Sequence, residues 1–190
     1  MSGWPVELSG VTETLVTTLG PNDRWNVAAL GVHAPDGEGP PTARTWGRTR
    51  TWRNFRERGE GYVQFTTDPV LFVEAALAVT EVEQPRLDEA HGWVRVHPEE
   101  IDSGTAEGTE WVDWALPASQ SGIESRALPT FSRAYAAVVE GTVAASRLDV
   151  EGHDSEELRE RIEYFEAVVD RAGGPAHRQA YDRLLELVDD

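Results

Sequence analysis

The segment RTWGRTRTWRNF, residues 44–55, decides how the rest of the chain is interpreted. It holds four arginines, three threonines, two tryptophans and an asparagine, in a protein that is otherwise strongly acidic. Its first half alternates, which predicts an extended strand with one face formed by Arg44, Trp46, Arg48 and Arg50. Its second half predicts one or two helical turns, for which Thr51 is the expected N-cap and Gly59 the residue after the end.

A strand that leads into a helix N-terminus in this way is a suitable receptor for a phosphate group. The unpaired N–H groups and the dipole of the helix favour an anion, threonine hydroxyls donate hydrogen bonds, and arginine binds phosphate through two parallel hydrogen bonds. The alternative is a basic edge strand whose arginines pair with the many carboxylates of the chain. Composition alone does not decide between these two interpretations.

The charge of the chain is more informative than its length. The 190 residues include 34 acidic side chains and 17 that are lysine or arginine, which gives a net charge of −17, and every one of the 17 is arginine. An acidic surface without lysine is typical of a protein kept soluble in concentrated salt, where screening removes self-repulsion. We therefore expect a halophilic protein, with an acidic protein of an ordinary cytosol as the alternative.

The composition also excludes several classes of chemistry. Without lysine there is neither a Schiff-base nucleophile nor a Walker-type phosphate loop, and without cysteine there is no disulfide, thiolate or cysteine metal site. No apolar run approaches the length of a membrane span, and the negative charge argues against a nucleic-acid surface. The five histidines lack metal-ligand spacing, so we expect no metal site. A cytoplasmic protein is the expectation.

Most of the first 128 residues show strand patterns. Strands are predicted at residues 11–19, 25–33, 62–67 and 109–117, and Asp68 with Pro69 predicts the start of a buried helix. Residues 81–110 are expected to form a polar surface excursion with a single strand at HGWVRVH, and residues 117–125 a loop. Five or six strands with two short helices indicate a small β-barrel, with residues 1–128 as the first domain of an α+β protein.

The last third of the chain changes to helical periodicity. Residues 129–190 are expected to form three amphipathic helices, the first with a face made of Phe131, Tyr135, Val138, Val139 and Thr142. Asp154 is the expected N-cap of the second helix, a glycine pair ends it, and Pro175 opens the third. We therefore predict a C-terminal helical subdomain attached to the barrel.

The chain contains no self-sufficient catalytic constellation. Its serines have no histidine or acid at a recognisable offset, and its paired acids are typical of a solvated surface. An enzyme with this sequence would depend on a bound cofactor for the difficult step.

Several segments of the first eighty residues follow one another in a specific order. NVAALGV follows the opening strand, GRTRTWRNF comes next, and YVQFTTDP leads into the apolar helix LFVEAAL. This order resembles the FMN-binding split β-barrel proteins. It resembles in particular an uncharacterised archaeal family, domain of unknown function family 447, that joins such a barrel to a C-terminal helical domain.

The resemblance rests on two motifs and weakens at a third. Asn26, Ala28 and Gly31 fit an Asn-x-Ala-Pro-Met-Gly segment, in which Ala29 and Leu30 replace the proline and methionine. A Gly-(x)-Ser-x-Thr-aromatic-x-Asn-Leu segment is matched by Gly47, Thr49, Thr51, Trp52 and Asn54, with Phe55 in place of leucine. Where the family tends to end the next strand with Asn-x-x-Asp-Asp-Pro, this chain has Gln64 and TDP.

The resemblance implies that FMN is the cofactor. Threonines and arginines would hold its phosphate, small residues would line the isoalloxazine, and Gln64 would donate to a flavin edge. The residues implied are Asn26, Ala28, Ala29, Arg48, Thr49, Arg50, Thr51, Asn54 and Gln64. Trp46 or Trp52 would stack over an exposed face of the ring. The alternatives are an ordinary buried glutamine at Gln64 and tryptophans that serve barrel or interface packing.

The resemblance also implies a homodimer with FMN at the subunit interface. The expected activity is that of a flavin-reductase-like oxidoreductase that takes electrons from a small-molecule donor and passes them to an unidentified acceptor. The alternative is a non-catalytic flavin- or small-ligand-binding module whose helical domain contacts a partner.

Overall fold

The structure is a computed structural model that describes residues 3–106, 108–126, 128, 130–148 and 150–189. These residues form two compact units. The first comprises the described residues within 1–66 and 80–127, and the second those within 67–79 and 128–190. The domain boundary expected from the sequence falls at residue 129, which lies outside the described residues, so that boundary stays a prediction.

The first unit contains one helix and, among the described residues, nine strands. The helix is α1 (Arg50–Arg58). The strands are β1 (Val11–Leu19), β2 (Trp25–His33), β3 (Thr42–Trp46), β4 (Gly61–Phe65), β5 (Thr80–Val82), β6 (Gly92–Val96), β7 (Glu99–Ala106), β8 (Thr109–Ala115) and β9 (Ala118–Ile123). The predicted bounds of the first two strands are confirmed.

These strands form one antiparallel sheet in the order β7-β8-β3-β2-β1-β4-β6-β9, with β5 paired to β2. The sheet is curled into a half-barrel, which confirms the predicted fold class of a split β-barrel followed by C-terminal helices. Its inner face carries the core of the unit, in which alternate residues of neighbouring strands meet. The core includes Val16, Leu30, Val32, Val63, Val94 and Trp114.

Two expectations about this sheet are wrong. The strand predicted at HGWVRVH is confirmed as β6, but residues 81–110 are not a surface excursion, since they also supply most of β5 and all of β7, and β6 lies between β4 and β9. Residues 118–123, expected in a loop, form β9. β7 and β9 are the outer strands of the sheet and are largely exposed on both faces. Strands of that kind lack the apolar–polar alternation by which a half-buried strand is recognised.

The second unit consists of α2 (Pro69–Leu77), α3 (Arg133–Ala145), α4 (Ser155–Ala172) and α5 (Pro175–Asp189). The predicted caps are confirmed, because Asp68 and Asp154 each accept hydrogen bonds from two backbone N–H groups of the following turn. The helix α2, which the sequence analysis places within residues 1–128, packs in this unit against α3 and α5. Arg183 of α5 contacts Glu74 of α2 at 2.6 Å.

The core of the helical unit differs from the expected pattern at one end. Phe131 is not part of the first face, because it precedes the N-cap Ser132 and is fully exposed. Tyr181 is buried, and its hydroxyl donates to the carbonyl of Ile162 at 2.7 Å. This burial raises the pKa of Tyr181 above its usual range. Among the described residues, no helix combines the length and the apolar character needed to cross a membrane.

A substitution at Thr45 tests how the core holds β3 in place. Its hydroxyl accepts a buried hydrogen bond of 2.9 Å from the indole of Trp114. Thr45→Val keeps the shape of the side chain but leaves this indole N–H unpaired, so we expect the free energy of unfolding to fall by about 1–3 kcal/mol. Chemical unfolding followed by tryptophan fluorescence measures this, because all seven tryptophans lie in the first unit.

The matched control is Thr105→Val, at an exposed position of the outer strand β7. The free energy of unfolding of this variant should lie within about 0.5 kcal/mol of the wild-type value. Equal stability of the two variants would contradict the role given to the Thr45 hydroxyl.

Candidate functional site

The outer edge of β2 changes partner along its length. β1 pairs with all of β2 on one side, whereas on the other side residues 25–27 pair with β5 and residues 32–33 pair with β3. Residues 28–31, between these two pairings, have no strand on their outer edge within the described part of the chain. The sheet is therefore split beside residues 28–31, and an unpaired strand edge offers backbone donors and acceptors to a ligand.

The helix α1 starts two residues earlier than the sequence predicts. β3 ends at Trp46, Gly47 has a left-handed φ of 68°, and Thr49 is the N-cap, with Oγ1 accepting from the N–H of Trp52. The expected cap at Thr51 and the expected strand face through Arg48 and Arg50 are therefore wrong. The physical reason is the turn at Gly47, which takes the chain out of the sheet before Arg48. Gly59 ends the helix in the left-handed conformation, as predicted.

Two arginines that flank the start of α1 are paired with carboxylates. Arg48 Nε lies 2.8 Å from Glu110 of β8, and Arg50 Nη1 lies 2.7 Å from Glu81 of β5. The hydrogen bond from Arg48 lowers the pKa of Glu110 below its usual range. Both pairings agree with the alternative stated above, in which the arginines of the segment pair with carboxylates. They also direct the two side chains toward different strands, β8 and β5.

Arg44 remains with the sheet. It forms two hydrogen bonds with Asp113, of 2.6 and 2.7 Å, and its guanidinium lies 4.1 Å from the ring centroid of Trp111. The hydrogen bond to Asp113 raises the pKa of Arg44. Of the two tryptophans considered for stacking on a cofactor, Trp46 is half exposed, whereas Trp52 packs against the core of the unit.

Arg48 also lines a surface depression of about 250 Å³ beside β7 and β8. Its walls include a second ion pair, between Arg56 and Glu100 at 3.1 Å. With Arg48 paired to Glu110, the positive and negative side chains of the depression balance each other. The depression therefore has no excess of positive charge with which to attract an anion.

Two side-chain atoms of α1 are inaccessible to solvent and make no hydrogen bond to the described residues. They are Arg53 Nε and Asn54 Oδ1, and the same holds for Trp4 Nε1 elsewhere in the unit. Thr51 and Asn26 are 5% and 6% exposed, and neither side chain makes a hydrogen bond to the described residues. The first backbone N–H groups of α1 are free, as at the start of any helix. Because most buried polar groups in proteins are hydrogen-bonded, these groups are candidates for contact with a ligand.

The sheet register brings these groups together. Asn54 Nδ2 donates to Thr18 Oγ1 at 3.0 Å, and Thr18 lies directly opposite Asn26 in the ladder between β1 and β2. On the other side of Asn26 its register partner is Glu81, which accepts the hydrogen bond from Arg50. Five of the expected cofactor residues thus surround one region, namely Asn26, Thr49, Arg50, Thr51 and Asn54.

The remaining expected residues lie elsewhere or face another way. Ala28 shares the core face of β2 with Asn26 and is half-buried, whereas Ala29 points to the opposite face, in register with Leu15. Leu15 is in turn in register with Gln64 of β4. Ala29 and Gln64 therefore share the face of the sheet that is turned away from α1. Among the residues that the structure describes, no group of three or more acidic or histidine side chains is placed to hold a metal ion.

Gln64 is fully buried, and its side-chain amide forms its hydrogen bonds within the protein. Its Nε2 donates to Thr17 Oγ1 at 3.1 Å and to the carbonyl of Pro85 at 3.0 Å, and its Oε1 accepts from the N–H of Leu87 at 2.7 Å. The alternative interpretation, an ordinary buried glutamine, describes this arrangement. Its role is to fasten the segment of residues 85–87 to the sheet.

Comparison with protein families assigns the chain. Residues 12–125 match the model described as "Protein of unknown function (DUF447) N-terminal domain", and residues 132–186 match the model described as "Protein of unknown function (DUF447)". The chain belongs to the DUF447 family. No curated protein is significantly similar in sequence to it.

Solved structures agree with this assignment. The FMN-bound protein MM1853 from Methanosarcina mazei, a DUF447 protein, is 25% identical, with 95% of this chain and 96% of that chain covered and a TM-score of 0.80. The flavoredoxin from Methanosarcina acetivorans is 13% identical over 66% and 78% of the two chains, with a TM-score of 0.44. The styrene monooxygenase flavin reductase from Pseudomonas putida S12 is 12% identical over 65% and 95%, with a TM-score of 0.45. The last two likenesses are too distant to support a cofactor or a reaction.

The sequence analysis of this DUF447 protein did not single out Glu81 or Arg53. Glu81 lies in the segment expected to be a surface excursion, so nothing indicated that it would be in register with Asn26. Arg53 stands at the unspecified position of the Thr-aromatic-x-Asn segment, where the motif gives no signal. Only its position four residues after Thr49, on the same helical face, places it near the N-terminus of α1.

Gln64→Leu tests whether Gln64 serves the sheet or a ligand. The substitution removes three internal hydrogen bonds and leaves the buried N–H of Leu87 unpaired, whereas Thr17 Oγ1 keeps its hydrogen bond to the carbonyl of Pro85. We expect the free energy of unfolding, followed by tryptophan fluorescence, to fall by about 2–4 kcal/mol. Gln120→Leu, on the exposed outer strand β9, is the control and should change it by less than about 0.5 kcal/mol. A Gln64→Leu protein as stable as the wild type would show that Gln64 does not fasten residues 85–87.

Proposed function

We propose that this protein binds FMN at the split of the sheet and uses it in electron or hydride transfer between small molecules, as a flavin-reductase-like oxidoreductase. The observation that carries the proposal is the set of buried, unpartnered polar groups at α1 and β2, beside an open strand edge, in a family with an FMN-bound member. Because FMN has a phosphate at one end and a planar ring at the other, it suits a site that combines a helix N-terminus with a strand edge.

The N-terminus of α1 fits the phosphate. The unpaired N–H groups of Arg50 and Thr51 and the helix dipole favour an anion. The Thr51 side chain is 5% exposed and its hydroxyl has no hydrogen-bond partner among the described residues, and Thr49 can donate its proton while its oxygen caps the helix. Glu81 keeps Arg50 beside this group through their ion pair.

The open edge of β2 fits the isoalloxazine. Residues 28–31 include two alanines and a glycine, so that a planar ring can approach the backbone closely. Asn26 at the start of the strand supplies an unpartnered amide. When bound, FMN supplies the redox chemistry, since it accepts and returns one or two electrons. The protein residues would orient the ring and limit the access of water to it.

We also propose that the protein is a homodimer with FMN at the subunit interface, and that it acts in the cytoplasm of a halophilic archaeon. In the first unit Trp46, Ile101 and Ile123 are exposed by 50%, 57% and 47% and lie on three separate strands, and contact with a second copy would remove such side chains from water. The mass of the protein in solution, measured by light scattering with and without FMN, tests this part.

Thr51→Val is the direct test of the phosphate site. Valine has the shape of threonine without the hydroxyl, and a hydrogen bond to a charged group is worth about 1.5–3 kcal/mol, so FMN affinity should fall roughly tenfold or more. Riboflavin, which lacks the phosphate, should bind both proteins equally well. Stability should not decrease, because the hydroxyl has no partner in the protein.

A suitable control is Thr105→Val, which should leave both affinities unchanged. Thr49→Ala is less informative, because loss of the cap alone destabilises the helix by about 1 kcal/mol. Unaltered FMN affinity in Thr51→Val would remove this residue from the phosphate site.

Enzymatic function is tested by turnover. The FMN-loaded protein, in molar KCl under air, should oxidise NADH or NADPH catalytically, and the Thr51→Val protein at the same subsaturating FMN concentration should do so more slowly. A wild-type protein whose bound FMN is reduced by neither donor would favour the alternative, a flavin-binding module without this activity.

A further inference from the structure

We infer that Arg53 is the side chain whose positive charge recognises the phosphate of FMN, and that Arg48 and Arg50 mainly hold carboxylates. This inference rests on the proposed function and concerns the same site. It names a specificity-determining residue that the motif leaves unspecified.

Arg53 differs from its neighbours in having no acidic partner. Arg48 is paired with Glu110 and Arg50 with Glu81, whereas Arg53 has no ion pair with any described carboxylate. Its Nε is inaccessible to solvent and unbonded. A guanidinium that is partly removed from water without a partner is unfavourable. An anion beside Arg53 would remove that cost.

The position of Arg53 on α1 directs it toward the proposed phosphate. Its backbone N–H donates to the carbonyl of Thr49 at 3.1 Å, so Arg53 lies one turn above the N-cap. Residues three and four apart share a helical face, and helical side chains lean toward the N-terminus. Arg53 is therefore placed on the face of α1 that carries Thr49 and Arg50.

The start of α1 is cationic, like that of α3, which begins at Arg133 without an acid in its first turn. Asp68 precedes α2, and Asp154, Glu156 and Glu157 lie at the start of α4. The first turn of α1 has no acid and is followed by Arg53. Cations at the positive end of a helix dipole are unfavourable, by a few tenths to about 1 kcal/mol each. A bound phosphate dianion would outweigh the charge of Arg53, and the positive end of the helix dipole favours a negative charge.

The inference is tested by comparing FMN with riboflavin, which differs only by lacking the phosphate. Affinities are measured by flavin fluorescence for the wild type and for Arg53→Gln, Arg53→Lys and the control Arg48→Gln, at one KCl concentration. Arg53→Gln should bind FMN at least roughly tenfold more weakly, because a charged hydrogen bond is lost, and should bind riboflavin like the wild type. Arg53→Lys keeps the charge and should lose less. Arg48→Gln should change neither affinity by more than about twofold.

Each outcome has a separate meaning. Wild-type FMN affinity in both Arg53 variants, or an equal loss of FMN and riboflavin, would overturn the inference and leave the proposed function intact. A wild-type protein that binds neither flavin would overturn the proposed function itself. Should Arg53→Gln fold poorly, Arg53→Lys decides, since a loss of affinity for FMN alone supports the inference and an unchanged affinity overturns it.

Discussion

The separation of β3 from β2 is the constraint on which the site depends. Only residues 32 and 33 of β2 pair with β3, at Ala43 and Thr42. Continued along the same antiparallel register, residues 31, 30 and 29 would lie opposite Arg44, Thr45 and Trp46, which pair with β8 and not with β2. Because β3 diverges and then turns at Gly47, an open edge of β2 and the N-terminus of α1 come to lie in the same part of the unit.

This arrangement leaves the outer backbone edge of residues 28–31 without a strand partner, and α1 adds the unpartnered atoms Arg53 Nε and Asn54 Oδ1. A protein can tolerate a few such groups when a ligand satisfies them, at a cost to the stability of the free form. The chain limits that cost elsewhere, since Gln64 on the other face of the sheet has all its hydrogen bonds within the protein. Gln64 is thus hydrogen-bonded within the protein, whereas Thr51 and Asn26 make no side-chain hydrogen bond to the described residues, and this contrast is the basis of the ligand site proposed above.

The central strands and the helix caps could be predicted from the sequence, but the outer strands of the sheet could not. β1 and β2 are apolar and β-branched, and the Asp68 and Asp154 caps are local signals, so all were predicted correctly. β7 and β9 are polar strands formed by pairing with distant partners, which no local pattern reveals. The same limit applies to the site. The motif singles out Thr49 and Thr51, but the carboxylates that pair with Arg48 and Arg50 lie 62 and 31 residues away from them and carry no local signal.

The acidic, lysine-free composition bears on how such a site works. In molar salt the screening length is only about 3 Å, so an exposed pair such as Arg48 with Glu110 contributes little attraction or orientation. Hydrogen bonds from backbone N–H groups and from the buried Thr51 act at contact and are far less affected by salt. A half-buried arginine is likewise screened less than an exposed one. For the phosphate binding proposed above, the half-buried Arg53 would therefore lose less of its attraction in concentrated salt than the exposed Arg48.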